Sequence, residues 1–318
     1  GVCHRFVEER IDEQVSRSDR DEPRRVSVPG EFHSTGKRTE HEHLILPPNL
    51  RDRDAIVYSM EAFPAVANLD DGKSMGEGHL WILERVEGVP LRFMLQDDGR
   101  LVFGDENRRL DPRSAPPAIS PAIDAVQSGF DRDAFRQAVA DVSAVTFYGI
   151  ATCQHRIEYD WEALPDFVGY DVLSTTRDGL LTPDAANAIF ERLGLTPAPA
   201  LEREVRADAV SPDRYSFPES RWADTTVAGV RLADKHGWRG RLDNPDLPSE
   251  PTASFADAEA AARALVTDDH RSAFEAGETV DRLRDRLARE HRAELSIAGI
   301  DPDSKAFRSA VARALQGA

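Results

Sequence analysis

The sequence predicts an α+β fold in which antiparallel strands come first and a small helical domain follows. Three observations carry that reading. His79-Leu80-Trp81-Ile82-Leu83-Glu84 is an apolar run of strand length. Two alternating segments follow, Leu91-Arg92-Phe93-Met94-Leu95 and Arg100-Leu101-Val102-Phe103, and Gln96-Asp97-Asp98-Gly99 between them reads as a hairpin turn whose glycine can take positive φ. Beyond a Pro-rich stretch from Pro245 to Pro251, the apolar spacing becomes helical.

The elements can be justified in order. Residues 1–59 lack sustained apolar periodicity, and Arg10 to Arg25 is almost entirely charged or polar. Such a segment has little apolar burial to offset the entropy of ordering, so it is expected to be a disordered extension or sequence upstream of the true start. Glu40-His41-Glu42-His43 falls in it and reads as a charged segment; no metal site is expected. After the hairpin, Asp131 to Val142 has helical spacing, with Phe135, Val139 and Val142 on one side. Ala144 to Tyr148 and Phe167 to Leu173 read as strands. Thr182-Pro183 opens a helix that Gly194 closes, with cap, first-turn proline and C-terminal glycine in their usual places. Thr226 to Leu232 is a further strand. Phe255–Val266, Thr279–Leu295 and Ser304–Leu315 are expected helices, the second carrying Val280, Leu283 and Leu287 on one face. The domains are then an N-terminal extension over 1–59, a sheet domain over 60–245 and a helical domain over 246–318.

Composition narrows the function classes. The 318 residues carry a formal net charge of -17, and 31% of them are charged. Lysine is scarce: Lys37, Lys73, Lys235 and Lys305 are the four among forty basic residues. An acidic, lysine-poor chain fits a halophilic cytoplasm, where salt screens carboxylate repulsion, and it equally fits a GC-rich genome. Two cysteines, Cys3 and Cys153, make neither a disulfide framework nor a zinc site. No apolar run has the length of a membrane span, and the first residues lack a signal-peptide core. A cytoplasmic monomer with no membrane contact is expected. Net acidity argues against general nucleic-acid binding but leaves room for a local basic groove.

The motif unit with most information is Leu83-Glu84-Arg85-Val86-Glu87-Gly88, with Gly99-Arg100-Leu101-Val102-Phe103-Gly104 after it. Phe147-Tyr148-Gly149-Ile150, Phe167-Val168-Gly169-Tyr170-Asp171-Val172, Val227-Ala228-Gly229-Val230 and Arg239-Gly240-Arg241 follow in that order. From about Met60 to Asn244, this series resembles the nucleotidyltransferase domain of the ATP-dependent RNA ligases, here of a haloarchaeal type, which belong with the DNA ligases and capping enzymes to the covalent nucleotidyltransferases. The resemblance implies ATP-grasp-like antiparallel sheets around a nucleotide cleft, ATP and Mg²⁺ as cofactors and RNA as partner. It implies a catalytic segment at Arg85, Glu87 and Gly88, in which a lysine amine attacks the α-phosphate. It implies nucleotide contacts from Glu84, Arg108, Arg109 and Lys235, adenine stacking by Phe167 or Tyr170, and a phosphate grip by Arg239 and Arg241. His155 and Asp160, near the third motif, are expected to be structural.

The departures from the family pattern bear on activity. Arg85 stands where the family has its nucleophilic lysine, and a guanidinium that stays protonated up to about pH 12 has no lone pair for phosphorus. Ile150 and Ala228 stand at two glutamate positions, and Glu87 replaces an aspartate. Two readings stay open: an RNA ligase that seals 5′-phosphate and 3′-OH ends, and a non-catalytic relative, a pseudoenzyme, that binds RNA or nucleotide.

Overall fold

Leu80, Trp81, Ile82 and Leu83 along β2 (His79–Glu84) are all buried, so this strand needs a packed layer on each face. The structure is a computed structural model and describes residues 60–317, apart from Lys73, Asp178, Glu250, Ala253 and Ser254. The expectations for residues 1–59 lie outside the described residues. Strand β2 is internal to a five-stranded sheet with β1 (Ala67–Asn68), β10 (Ala200–Arg206), β11 (Gly229–Asp234) and β12 (Arg239–Asp243), in the order β1-β12-β11-β2-β10. Its pairings are antiparallel except that of the two-residue β1 with β12. Leu80, Ile82, Val230, Leu232 and Leu242 form one core layer, while Trp81 and Leu83 face the second sheet.

The second sheet has the order β5-β4-β3-β6-β7-β8. The predicted hairpin is present as β3 (Gly88–Leu95) and β4 (Leu101–Gly104), with Leu95 opposite Leu101 and Gly99 at φ 87°. The strands β5 (Arg109–Leu110), β6 (Val145–Thr152), β7 (Phe167–Ser174) and β8 (Gly179–Leu180) complete the path, and β9 (Thr196–Pro197) pairs with β7 in parallel. One face is aromatic: Phe93 stacks on Phe147 at 4.8 Å, under α1 (Ser120–Gly129), α2 (Arg132–Ala138) and α3 (Pro183–Arg192). A Cβ built on Gly169 would meet the Phe190 ring at 2.5 Å, so the bare backbone there is what lets α3 close on the strand. The helix expected over Asp131–Val142 ends at Ala138, because Val139 is extended at φ -130°.

The other face of this sheet turns toward the first. Tyr148 lies opposite Asp171, yet Gly149 lies opposite Gly169, so β7 has one extra residue, Tyr170, at that point. This β-bulge breaks the alternation and lets both Tyr170 and Asp171 reach the first sheet. Helices α4 (Ala258–Leu265), α5 (Asp268–Glu275), α6 (Val280–Glu290), α7 (Arg292–Ile297) and α8 (Lys305–Leu315) follow, with a core of their own around Leu283, Leu287, Phe307 and Val311. The single helix expected over Thr279–Leu295 is divided at His291, which leaves the helical region at φ -125° and ψ 27°. Arg289 of α6 anchors the helices to the sheets. It donates to the Thr152 hydroxyl and the Leu164 carbonyl at 3.0 and 2.7 Å, and pairs with Asp166 at 3.0 Å.

Candidate functional site

Arg85 follows the last residue of β2, where the strand leaves the sheet. Its guanidinium makes an ion pair with Asp243 of β12 at 3.0 Å, and both side chains are about one-third exposed. Arg241 approaches the same carboxylate at 3.9 Å from its own strand and remains open to solvent. One rim of the space between the sheets therefore presents two arginines around one aspartate.

Deeper in, the charges are enclosed. Asp171 is buried and accepts from Arg231 at 2.5 Å and from Arg239 at 2.6 Å. Burial pushes the Asp171 carboxyl up, but the two guanidinium groups outweigh it and hold it below its ordinary value. Arg239 is 2% exposed and also donates to the carbonyls of Asp234, Trp238 and Leu181. Its donors are committed to the fold, so the phosphate grip implied for it is not available in this structure. Arg231 lies 5.0 Å over the Tyr170 ring.

The two aromatic side chains implied for adenine are also placed by the fold. Phe167 is 3% exposed and packs among Phe93 and Phe190 on the sheet face away from Arg85. Tyr170 is directed toward Arg85, but its hydroxyl accepts from Val86 N–H at 2.9 Å and donates to the Glu84 carbonyl at 2.9 Å. Burial raises this phenol to about 12, so it acts as a fixed hydrogen-bonding strut under the segment that carries Arg85.

The carboxylates of that segment hold loops. Glu84 accepts from the Ser220 hydroxyl at 2.6 Å and from Arg221 N–H at 3.2 Å, while burial raises its pKa. Oε2 of Glu87 accepts from the backbone N–H groups of His155, Arg156 and Ile157 at 3.1, 2.8 and 3.0 Å. Gly88 is needed for close approach, because a Cβ there would meet Ile150 at 2.2 Å and the Ala151 carbonyl at 2.3 Å. Ile150 lies beside it, and Ala228 is buried in the same apolar layer. Lys235 pairs with Glu204 at 3.0 Å, and Arg108 with Asp105 at 3.5 Å; Arg109 is exposed on β5. Neither ion pair includes Arg85 or Asp171. The expected structural residues are placed as follows: Asp160 caps the turn at Ala163, and His155 lies 3.9 Å from the Cys153 sulfur.

Sequence reasoning missed Arg92, Tyr148, Asp171, Arg231 and Asp243. Arg92 and Tyr148 are register partners and sit side by side on the inward face. A polar residue between apolar neighbours, as in Leu91-Arg92-Phe93, was the available signal for Arg92. For Asp171 the signal was absent, since strict alternation would have turned it away from Tyr170.

The donor set does not fit a divalent cation. Ile150 and Ala228 offer no side-chain oxygen, Asp171 and Asp243 are paired with arginines, and no group of three His, Cys, Asp or Glu able to hold a metal occurs among the described residues. No helix among the described residues is long and apolar enough to cross a membrane. No family model matches the chain, and no curated protein matches it. Among solved structures, the chain is similar to the Naegleria gruberi RNA ligase with PPi, at 14% identity and a TM-score of 0.41 over 53% of this chain and 50% of that one. A mutant of that ligase with ATP and Mn gives 13% identity and a TM-score of 0.42, over 59% and 57%. A protein of Aquifex aeolicus, named as an ATP-dependent DNA ligase, gives 12% identity and a TM-score of 0.40, over 80% and 64%. The chain spans about half the length of the Naegleria ligase, and the structural neighbours are RNA and DNA ligases at low identity.

Proposed function

We propose that this chain is a ligase-like protein that binds a phosphate-bearing ligand, RNA or nucleotide, between its two sheets and forms no covalent adenylate. The observation that carries the reading is Arg85. The position that the resemblance assigns to the nucleophile holds a guanidinium, ion-paired to Asp243 at 3.0 Å at an open rim. A permanently charged group can attract and orient a phosphate but cannot attack it. Arg241 beside it supplies a second exposed cation, so the rim can hold an anion even though the protein as a whole is acidic.

Sealing chemistry would need a nucleophile and carboxylates that hold metal. Of the lysines, Lys235 is engaged by Glu204 and Lys305 lies in α8. The residues at Ile150 and Ala228 supply no charge for Mg²⁺, so no catalytic step is assigned to it.

The test is incubation with α-labelled ATP and Mg²⁺, followed by denaturation and measurement of protein-bound label. The unmodified chain should retain none. Arg85→Lys should restore little, because nucleophile and electrostatic groups act as a unit. Arg85→Lys with Ile150→Glu and Ala228→Glu should restore some acid-labile label. Robust labelling of the unmodified chain would overturn the reading. Binding is tested separately with a 5′-phosphorylated oligoribonucleotide at fixed low salt. Arg85→Gln with Arg241→Gln should lower affinity about tenfold or more, by removing two charge-assisted contacts.

A further inference from the structure

Arg92 and Tyr148 lie on adjacent strands and direct their polar ends to one acceptor, the carbonyl oxygen of Glu61. The Arg92 Nη1 donates to it at 2.7 Å and the Tyr148 hydroxyl at 3.3 Å. Phe63 covers the pair, with its ring 5.3 Å from that of Tyr148 and 5.5 Å from the Arg92 guanidinium. Arg92 is 8% exposed, and its Nε has no hydrogen-bond partner among the described residues. The space beside that Nε is closed by Gly104 and Met60: a Cβ built on Gly104 would lie 3.1 Å from both Arg92 Nε and Met60 Cε. Five residues beyond Phe63, Asn68 pairs with Arg241 on the edge of the first sheet. The segment from Met60 to Asn68 thus runs from one sheet to the other across the space between them.

We propose that residues 60–68 are a strap closing an oxyanion subsite built from Arg92 and Tyr148, and that a phosphate group takes the position of the Glu61 carbonyl when the strap lifts. The proposal rests on the reading of this space as a phosphate-binding one. A buried guanidinium with an unpaired N–H is costly, and a single carbonyl satisfies only part of its fork. A phosphate, with several oxygens, can satisfy Arg92 and Tyr148 together. Beyond the contacts of Met60, Glu61 and Phe63, the strap has little to hold it. Glu61, Ala62 and Ala65 are exposed, and its ladder contribution is two residues of β1. It can therefore yield to a ligand of modest affinity, and the apparent affinity is reduced by the fraction of molecules in which it is closed.

Inorganic pyrophosphate is the probe, titrated calorimetrically into the full chain at fixed low ionic strength. Met60→Ala with Phe63→Ala loosens the strap and should tighten binding about tenfold, since release of roughly 1.4 kcal/mol of closure corresponds to that factor. Adding Arg92→Gln to that background should abolish the gain. Pyrophosphate should also speed hydrogen exchange of the amides over 66–70 in the unmodified chain, and thermal melts establish that each variant is folded. Equal affinity with and without the loosening substitutions would overturn the strap, as would a gain that survives Arg92→Gln. If binding ignores Met60 and Phe63 yet falls with Arg85→Gln and Arg241→Gln, the strap fails and the phosphate-binding reading stands. If no folded variant binds pyrophosphate, both fail.

Discussion

Replacing Glu87 by aspartate draws the carboxylate back by about 1.5 Å, the length of one C–C bond. In the folded protein Oε2 of Glu87 accepts from three consecutive backbone N–H groups, those of His155, Arg156 and Ile157, and the residue is 6% exposed. Hydrogen bonds to a charged group contribute about 1.5–3 kcal/mol each, and a buried N–H left unpaired costs about 1–3 kcal/mol. Partial adjustment of the 155–157 loop and water entry recover some of this. A loss of about 3–5 kcal/mol is expected for Glu87→Asp. Glu87→Gln keeps the length and one acceptor oxygen but removes the charge, so about 2 kcal/mol is expected. The order matters more than either value. The ligases that the sequence resembles have aspartate at this position, so a side chain serving a bound nucleotide should accept Glu87→Asp more readily than Glu87→Gln. A side chain serving as a backbone clamp should show the reverse. Urea unfolding followed by circular dichroism gives both values, with thermal melts as a check. Glu87→Asp within about 0.5 kcal/mol of the unmodified protein would refute the clamp, because a surface substitution produces no more than that.

Two further predictions concern the helical part. Arg289→Met should loosen helices α4–α8 from the sheets, since it leaves the buried Thr152 hydroxyl and the Leu164 carbonyl without their donor, whereas Asp166 is partly open to water; hydrogen bonds to a charged group contribute about 1.5–3 kcal/mol each, and the loss is read as faster hydrogen exchange in those helices with the sheets less affected. Burial raises Glu290 to about 7, opposed by Arg289 and Arg286 and reinforced by Glu158 and Asp166, with His270 Nε2 3.8 Å away. A carboxyl with a raised folded pKa stabilises the fold below its unfolded pKa and loses that contribution as pH rises through the folded value. Between pH 6 and 8 the unmodified protein should therefore lose about 1 kcal/mol relative to Glu290→Gln. Burial raises Asp285 similarly, to about 6, and Asp285 is present in both proteins compared; burial also lowers His270 to about 4, below the pH window of the comparison. Parallel pH profiles would sink the assignment.

The sheets were legible where one period dominates. The hairpin from Gly88 to Gly104 follows from alternation and a glycine turn, and β2 follows from length and apolarity. Helix α1 was not legible, because Pro112, Pro116, Pro117 and Pro121 crowd its approach and read as loop, although Pro121 sits in the first turn, where the missing N–H costs nothing. The break at His291 had no glycine or proline to announce it. Strand β10 carries Glu202, Arg203 and Glu204 at the sheet edge and lacks the alternation that marks a half-buried strand.

The candidate site divides in the same way. The resemblance assigns Arg85 and Arg241 to one nucleotide site, and in the structure both approach Asp243. Side-chain direction was the illegible part, and one backbone irregularity decided it. The extra residue in β7 turns Asp171 inward beside Tyr170, where it draws in Arg231 and Arg239. Arg239 and Arg241 lie two apart on one strand and share a face, so a regular sheet would have presented both to a ligand. With Asp171 turned inward, the first is enclosed as a structural ion pair and the second stays free. The same distinction holds along the motif that begins with Glu84: Glu84 and Glu87 bind loops, Tyr170 supports the backbone between them, and Arg85 alone extends to the rim. Of the charges that the resemblance assigns to a nucleotide, Arg239 is enclosed against Asp171, Glu84 holds a loop, and Lys235 and Arg108 pair with carboxylates at the surface, while Arg85 and Arg241 share one rim and have charge without nucleophilicity. The proposed phosphate binding needs only fixed positive charge, whereas phosphoryl attack needs a free electron pair.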